Sequence, residues 1–327
     1  MKKLIFSMAM VALLVGAVSC NKDKEKEDQS NSKEGIYAPE MKIASILDEG
    51  DVDETWNWGS SKLASIDGRG VTTTFDYNGN RMSVITLSEG GQSQQLKYTY
   101  EEGWMTKLSI ISDNKNLLVA DIRHNANDQI SGMNATLNAD YLMELFGSLM
   151  SGAKRPTPKF QLTNQDIQME YVWEGENVKQ MIVSANITST INVNDITSII
   201  DEETLESILG DYASFLPLLT GDFPLVFSIK DTLSYTYDSK KNPYYMMLSE
   251  GPMAKSLSIN NPLTEHNSGV VDFNLSVTIP ILNIELPLSQ SVPISFDNSW
   301  AYNYNEKGFP TCIIESEGAA KDIRYME

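Results

Sequence analysis

One pattern constrains this chain more than any other: two aromatic residues two positions apart, followed at once by a turn. It occurs at Phe75-Asp76-Tyr77 before Asn78-Gly79, at Tyr98-Thr99-Tyr100 before Glu101-Glu102-Gly103, and at Tyr171-Val172-Trp173 before Glu174-Gly175. It returns at Tyr235-Thr236-Tyr237 before Asp238-Ser239, and at Trp300-Ala301-Tyr302-Asn303-Tyr304 before Asn305-Glu306-Lys307-Gly308. Residues two apart share one face of a β-strand, so such aromatics pack across strands. The residues that follow tolerate positive φ, which tight turns between strands need. A repeated strand-then-turn unit predicts sequential antiparallel hairpins, because neighbours in sequence pair at the lowest loop cost.

The rest of the body agrees. Met41 to Leu47 reads as a strand, and Val71, Thr73, Phe75 and Tyr77 share one face of another. The chain returns through Met82–Leu87, turns at Glu89-Gly90-Gly91, and alternates again through Leu96, Tyr98 and Tyr100. In the last third, Val271, Phe273, Leu275, Val277 and Ile279 alternate with polar residues, the mark of one buried and one wet face. After Pro280 the phase shifts by one, which predicts a bend or bulge, and Pro287 and Pro293 predict an edge position. Two helical stripes interrupt the strands. Leu142, Leu145, Phe146 and Leu149 form the first, within 138–152; Leu205, Ile208, Leu209, Tyr212, Phe215 and Leu216 form the second, within 201–218. The expected fold is therefore mostly β: an antiparallel hairpin meander in a large twisted sheet or partly closed barrel-like body, with two short amphipathic helices.

The N-terminus carries an address. Met1-Lys2-Lys3 precedes an apolar run from Leu4 to Val18, shorter than the roughly 20 residues of a bilayer-spanning helix and flanked as an export signal is. The run ends in Ala17-Val18-Ser19-Cys20. This resembles the bacterial lipoprotein signal, and the resemblance implies that Cys20 becomes the acylated N-terminus. The charged stretch Asn21–Asp28 has no apolar partner to fold against. The expected organisation is a signal peptide at 1–19, a lipidated disordered tether at 20–38 and one β-rich domain at 39–327. In lipoproteins of the Bacteroidetes, such a Lys- and Asp/Glu-rich run after the cysteine resembles a signal for export to the outer face of the outer membrane. A periplasmic location is the alternative.

The segment Trp300-Ala301-Tyr302-Asn303-Tyr304-Asn305-Glu306-Lys307-Gly308-Phe309-Pro310-Thr311 is similar to the Tyr-x-Tyr-x-x-x-Gly-x-Pro-Thr segments of a Bacteroidetes lipoprotein family of unknown function. That resemblance implies a porin-like fold over roughly residues 40–325, and the hairpins also resemble the YD repeats of secreted toxins. It implies strands and turns but no active site.

The net charge of −19 repels nucleic acid and anionic lipid, so the link to the outer membrane falls to the acyl chains. Cys312, the other cysteine, reads as a buried apolar residue; with Cys20 acylated no internal disulfide forms. Neither His124 nor His266 has a partner at ligand spacing, and the acidic run Asp48–Glu54 lacks the ordered donors of a calcium loop. No catalytic, metal or cofactor residue is singled out. Trp56, Trp58 and Trp104 lie near turns and are candidates for stacking on a ligand, with core packing as the competing role. Asp231-Thr232-Leu233 resembles the Bacteroidetes O-glycosylation site, with Thr232 in the modified position.

Three function classes stay open. The leading one is a surface-anchored, non-catalytic lipoprotein that binds a glycan or peptide or assists an outer-membrane uptake complex. The second is a glycan- or peptide-degrading hydrolase that uses carboxylates on a β scaffold. The third is a structural or adhesive surface protein. Oligomeric state is not encoded in any of these features.

Overall fold

A computed structural model describes residues 33–138, 160–192, 222–279, 284–316 and 318–327. Cys20 and both predicted helices lie outside the described residues, apart from Asn138 at the start of the first. The first half of the wall is β1 (Ile43–Asp48), β2 (Asp51–Trp58), β3 (Leu63–Gly68), β4 (Val71–Asn78), β5 (Arg81–Glu89), β6 (Gln92–Glu101), β7 (Trp104–Ser112) and β8 (Lys115–His124). The second half is β9 (Ile130–Leu137), β10 (Phe160–Glu174), β11 (Asn177–Asn192), β12 (Asp222–Tyr237), β13 (Pro262–Ile279), β14 (Ile284–Tyr304), β15 (Pro310–Glu315) and β16 (Ala320–Tyr325). One short helix, α1 (Ala254–Leu257), lies between β12 and β13.

Each strand pairs antiparallel with the next, and β1 pairs with β16, so the meander closes into a barrel. Closure leaves no continuous sheet edge to template aggregation. It goes further than the partly closed body that the hairpin repeats predict. β10 to β14 are longer than their neighbours and run past the barrel's rim. β9 meets β10 only from Gly132 to Ala135, and β15 meets β14 only from Trp300 to Tyr304. Pro287 and Pro293 fall on the stretch of β14 that has no β15 partner, so their missing amide hydrogens break no ladder on that side. The phase change after Pro280 needs no bulge. β13 and β14 pair in unbroken register from Thr264↔Ser299 to Ile279↔Ile284, and the hairpin itself sets odd residues of one strand against even residues of the other.

The inner face is apolar. Ile43, Leu63, Met82, Ile85, Met105, Leu108, Ile110, Ile130, Ile167, Met169 and Met181 are all fully enclosed within one continuous cluster. Outward positions around the wall, such as Asp76, Lys97, Arg123, Glu170, Asn186 and Lys230, are exposed. This distribution reverses that of a membrane-spanning barrel, which carries an apolar outer band around a polar lumen. Among the described residues no helix is long and apolar enough to cross a membrane.

Candidate functional site

The aromatic pairs all lie at one end of the barrel, because every strand that carries one runs toward that end. Here the hairpins share a device. At Asn57/Trp58, Asp76/Tyr77, Thr99/Tyr100, Arg123/His124, Val172/Trp173, Thr236/Tyr237 and Asn303/Tyr304 the register slips by one residue just before the turn. A bulge leaves backbone groups without a ladder partner. Aromatic polar tips on the next rising strand meet those carbonyls. The donors are Trp58 to Ile43 (2.7 Å), Tyr77 to Leu63 (2.9 Å), Tyr100 to Met82 (2.9 Å) and Trp173 to Ile130 (2.7 Å). Tyr237 to Val178, Tyr302 to Pro262 and Tyr325 to Pro310, each at 2.7 Å, continue the ring. The residue just before the acceptor often covers the donor's ring: Lys42 over Trp58, Lys62 over Tyr77, Arg81 over Tyr100, Phe309 against Tyr325.

At β8 the place of the second aromatic is taken by His124. Glu34, from the segment before β1, fills the gap. Its carboxylate accepts from Met105 N (2.7 Å) and meets His124 Nε2 (2.8 Å), while Arg81 donates to its backbone oxygen. Trp104 lies against the His124 ring at 5.5 Å.

The β12–β13 connection, residues 238–261 with α1, plugs this same end. Three tyrosines hold it by its carbonyl oxygens: Tyr37, from the segment before β1, to Pro243, and the inner-face Tyr98 and Tyr171 to Leu248 and Pro252. Asn242 ties the plug to itself by donating to the carbonyls of Lys255 and Ser258. Burial pushes the Tyr37, Tyr98 and Tyr171 phenols well above their ordinary range.

From Tyr235 outward, on β12, β13 and β14, the inner face changes character. Cross-strand partners share a face, so Asn267, which is 1% exposed, fixes the inward side for its neighbours. Polar residues stand on that side: Asp231, Glu265, Asn267 and Asn298. Asn267 Nδ2 donates to Asp231 at 2.7 Å, and Asn298 Nδ2 donates to Glu265 at 2.9 Å. Burial raises the Asp231 pKa, and the Asn267 hydrogen bond opposes that rise. Gly269 makes room for the Asp231 carboxyl, since a Cβ there would lie 2.4 Å from Oδ1. Asn267 Oδ1 is buried and has no hydrogen-bond partner among the described residues.

Phe296 stands opposite Asn267 and Val292 opposite Val271, both on the inward side, yet they are 42% and 41% exposed. Both stand on the stretch of β14 that has no β15 partner, where the inward side of the wall is open to solvent. Phe227, Ile229, Val271, Phe273 and Ile294 extend the same wall, half-buried, with Phe227 and Phe273 edge to face at 5.1 Å.

The residues singled out by sequence fall elsewhere. Trp56 is in the core beside Tyr244, and Trp58 is in the rim ring stacked on Tyr37. Trp104 is on β7, with β3 to β6 between it and β2. Thr232 is half-buried on the outer side of β12, while its neighbour Asp231 points inward. His266 pairs with Asp297 on the outer face. In the acidic run, Arg69 binds Asp53 and lies 3.4 Å from Asp48. Cys312 is half-buried on β15, and burial together with Asp322 pushes its thiol pKa up. No group of three metal-ligating side chains occurs among the described residues.

Sequence reasoning missed Glu265 and Asn267, although a signal was present. The alternating run Val271–Ile279, followed backward in the same phase, passes through Gly269 and arrives at two polar residues on what is otherwise the apolar face.

The class is thus a closed, plugged up-and-down β-barrel with an apolar interior and a polar patch inside its wall. No protein-family model matches the chain, and no match was found among curated proteins.

Proposed function

We propose that this is a lipid-anchored binding protein, acylated at Cys20 and displayed on the outer membrane, that receives its ligand on the inward side of β12, β13 and β14. The proposal includes membership of the Bacteroidetes lipoprotein family that the Tyr-x-Tyr hairpin segments resemble. A single observation carries the binding role: Phe296 and Val292 are open to solvent on the inward side of a wall whose Asn267 is enclosed. An apolar surface left open on the inward side of the wall offers a bed for an apolar ligand. Of the two ligand classes raised by the sequence, the aliphatic and phenyl lining favours a peptide or another amphiphile over a glycan, whose many hydroxyls need polar partners.

The test has two arms. Membrane fractionation of the Cys20→Ala variant is expected to release the chain, and protease accessibility on whole cells to show the native chain facing outward. Titration with an environment-sensitive apolar fluorophore is expected to show saturable binding that Phe296→Ala weakens. A variant retained in the membrane sinks the anchor, and a protein that never binds the fluorophore sinks the binding role.

A further inference from the structure

Resting on the binding role proposed above, we infer that the barrel's ligand carries a primary ammonium on an apolar body, with its head held by Asp231, Asn267 and Glu265. Three observations converge. Asn267 Oδ1 is an enclosed acceptor without a donor among the described residues, and leaving a buried polar atom unpaired is costly. A ligand donor placed there removes that cost.

Two carboxyls stand near this amide on the same face. Asp231 is tied to the same amide, and Glu265 lies two residues along β13 on the same face. The described inward residues around them are Leu233, Tyr235, Gly269, Asn298 and Phe296; Tyr235 and Asn298 hydrogen-bond Glu265, but none of the five is cationic. A buried carboxylate without a countercharge attracts one. An ammonium, with three donors and no acceptor, can serve Asn267 Oδ1 and a carboxylate together. A hydroxyl brings one donor and no charge, and a carboxylate head would add a third acceptor to a site that already has too many.

The third observation is the wall beside the head. Phe296, Ile294, Val292, Val271 and Phe273 give an alkyl or side-chain body an apolar bed on the same face. The ammonium could belong to an alkylamine or to the N-terminus of a hydrophobic peptide. Both present the same head to the same atoms.

The experiment titrates the purified full chain with dodecylammonium, dodecanol and dodecanoate below their micellar concentrations, and with a hydrophobic tetrapeptide amide carrying a free or acetylated N-terminus. The ammonium ligand is expected to bind about tenfold more tightly than its neutral twin, the scale of one charge-assisted hydrogen bond. Asp231→Asn and Asn267→Leu are expected to abolish that preference. Asp76→Asn, which removes the same charge from the outer face of β4, should leave it intact and so exclude general attraction to an acidic protein. Whichever ammonium ligand shows the preference identifies the source. Equal binding of dodecylammonium and dodecanol, or a preference that survives Asp231→Asn, overturns the head-group assignment while leaving the binding role standing. Failure of every probe to bind overturns both. Circular dichroism of each variant separates lost binding from lost fold, and the milder Asp231→Asn keeps the test decisive where Asn267→Leu does not fold.

Discussion

The indole N–H of Trp173 donates to the carbonyl oxygen of Ile130 at 2.7 Å, across 43 positions of chain. The same relationship joins Tyr100 to Met82 and Tyr77 to Leu63. Each hairpin's bulge frees a carbonyl and the next rising strand supplies the donor, so the ring stitches neighbouring hairpins rather than the two strands of one. Sequence repetition here has a mechanical meaning: each copy completes the copy before it.

Tyr100→Phe is the cleanest probe of that stitch. It keeps the ring under Arg81 and removes only the hydroxyl, leaving the Met82 carbonyl without its donor. A loss of about 1–2 kcal/mol is expected, read as a lower urea midpoint with an unchanged slope. A stability equal to that of the parent would show that water serves the carbonyl as well.

Stability should fall at high pH. The Tyr98 and Tyr171 phenols are held above their ordinary range chiefly by burial, so the fold favours their protonated forms. The stabilisation is complete below about pH 10, where the unfolded chain's tyrosines are still protonated. Above that, the unfolded state loses protons that the folded state keeps, and the loss approaches about 1.4 kcal/mol per pH unit for each such tyrosine. Urea midpoints measured from pH 8 to 11.5 should be flat and then drop. Tyrosinate absorbance should rise with unfolding rather than ahead of it for these residues.

Gly132→Ala should weaken the join between the short-stranded and long-stranded halves of the wall. A Cβ on Gly132 would lie 2.4 Å from the Met169 carbonyl oxygen and 2.8 Å from the Arg123 side chain. The four-rung contact between β9 and β10 would have to shift. Forced packing of this kind costs about 1–3 kcal/mol, and amide exchange should quicken first in Ile130–Leu137.

Much of the wall was legible because each hairpin announces itself locally. A period of two, an aromatic pair and a turn residue specify a strand and its neighbour without reference to the rest of the chain. The unit at Trp56-Asn57-Trp58 before Gly59 is a further copy that reads as a ligand surface when taken alone, because stacking and core packing use the same side chains. Closure was not legible. It depends on β1 meeting β16, two six-residue strands at opposite ends of the body with no shared signature. The polar patch escaped for a different reason. Asp231 and Asn267 lie 36 positions apart, and only the β12–β13 register brings them together. The two helical stripes lie outside the described residues. The helix that is described, α1, is a single turn inside the plug, too short to leave a periodic mark.

Glu34 gives the last prediction, because it stands where the ring has His124 in place of an aromatic donor. Only 4% exposed, its carboxylate takes the Met105 amide hydrogen and meets His124, and so fastens the segment before β1 into the plugged end. Glu34→Ala leaves the buried Met105 N–H without this acceptor, a cost of about 1–3 kcal/mol. Glu34→Gln keeps an acceptor for Met105 and offers His124 a donor, so it should lose less than half as much. Tryptic cleavage after Lys33 and Lys42 should follow the same order, fastest in Glu34→Ala, because an unfastened segment exposes its backbone. Were the two variants equally stable and equally resistant, the segment would be held by Arg81 and by Tyr37 bonded to Pro243, with the carboxylate contributing nothing.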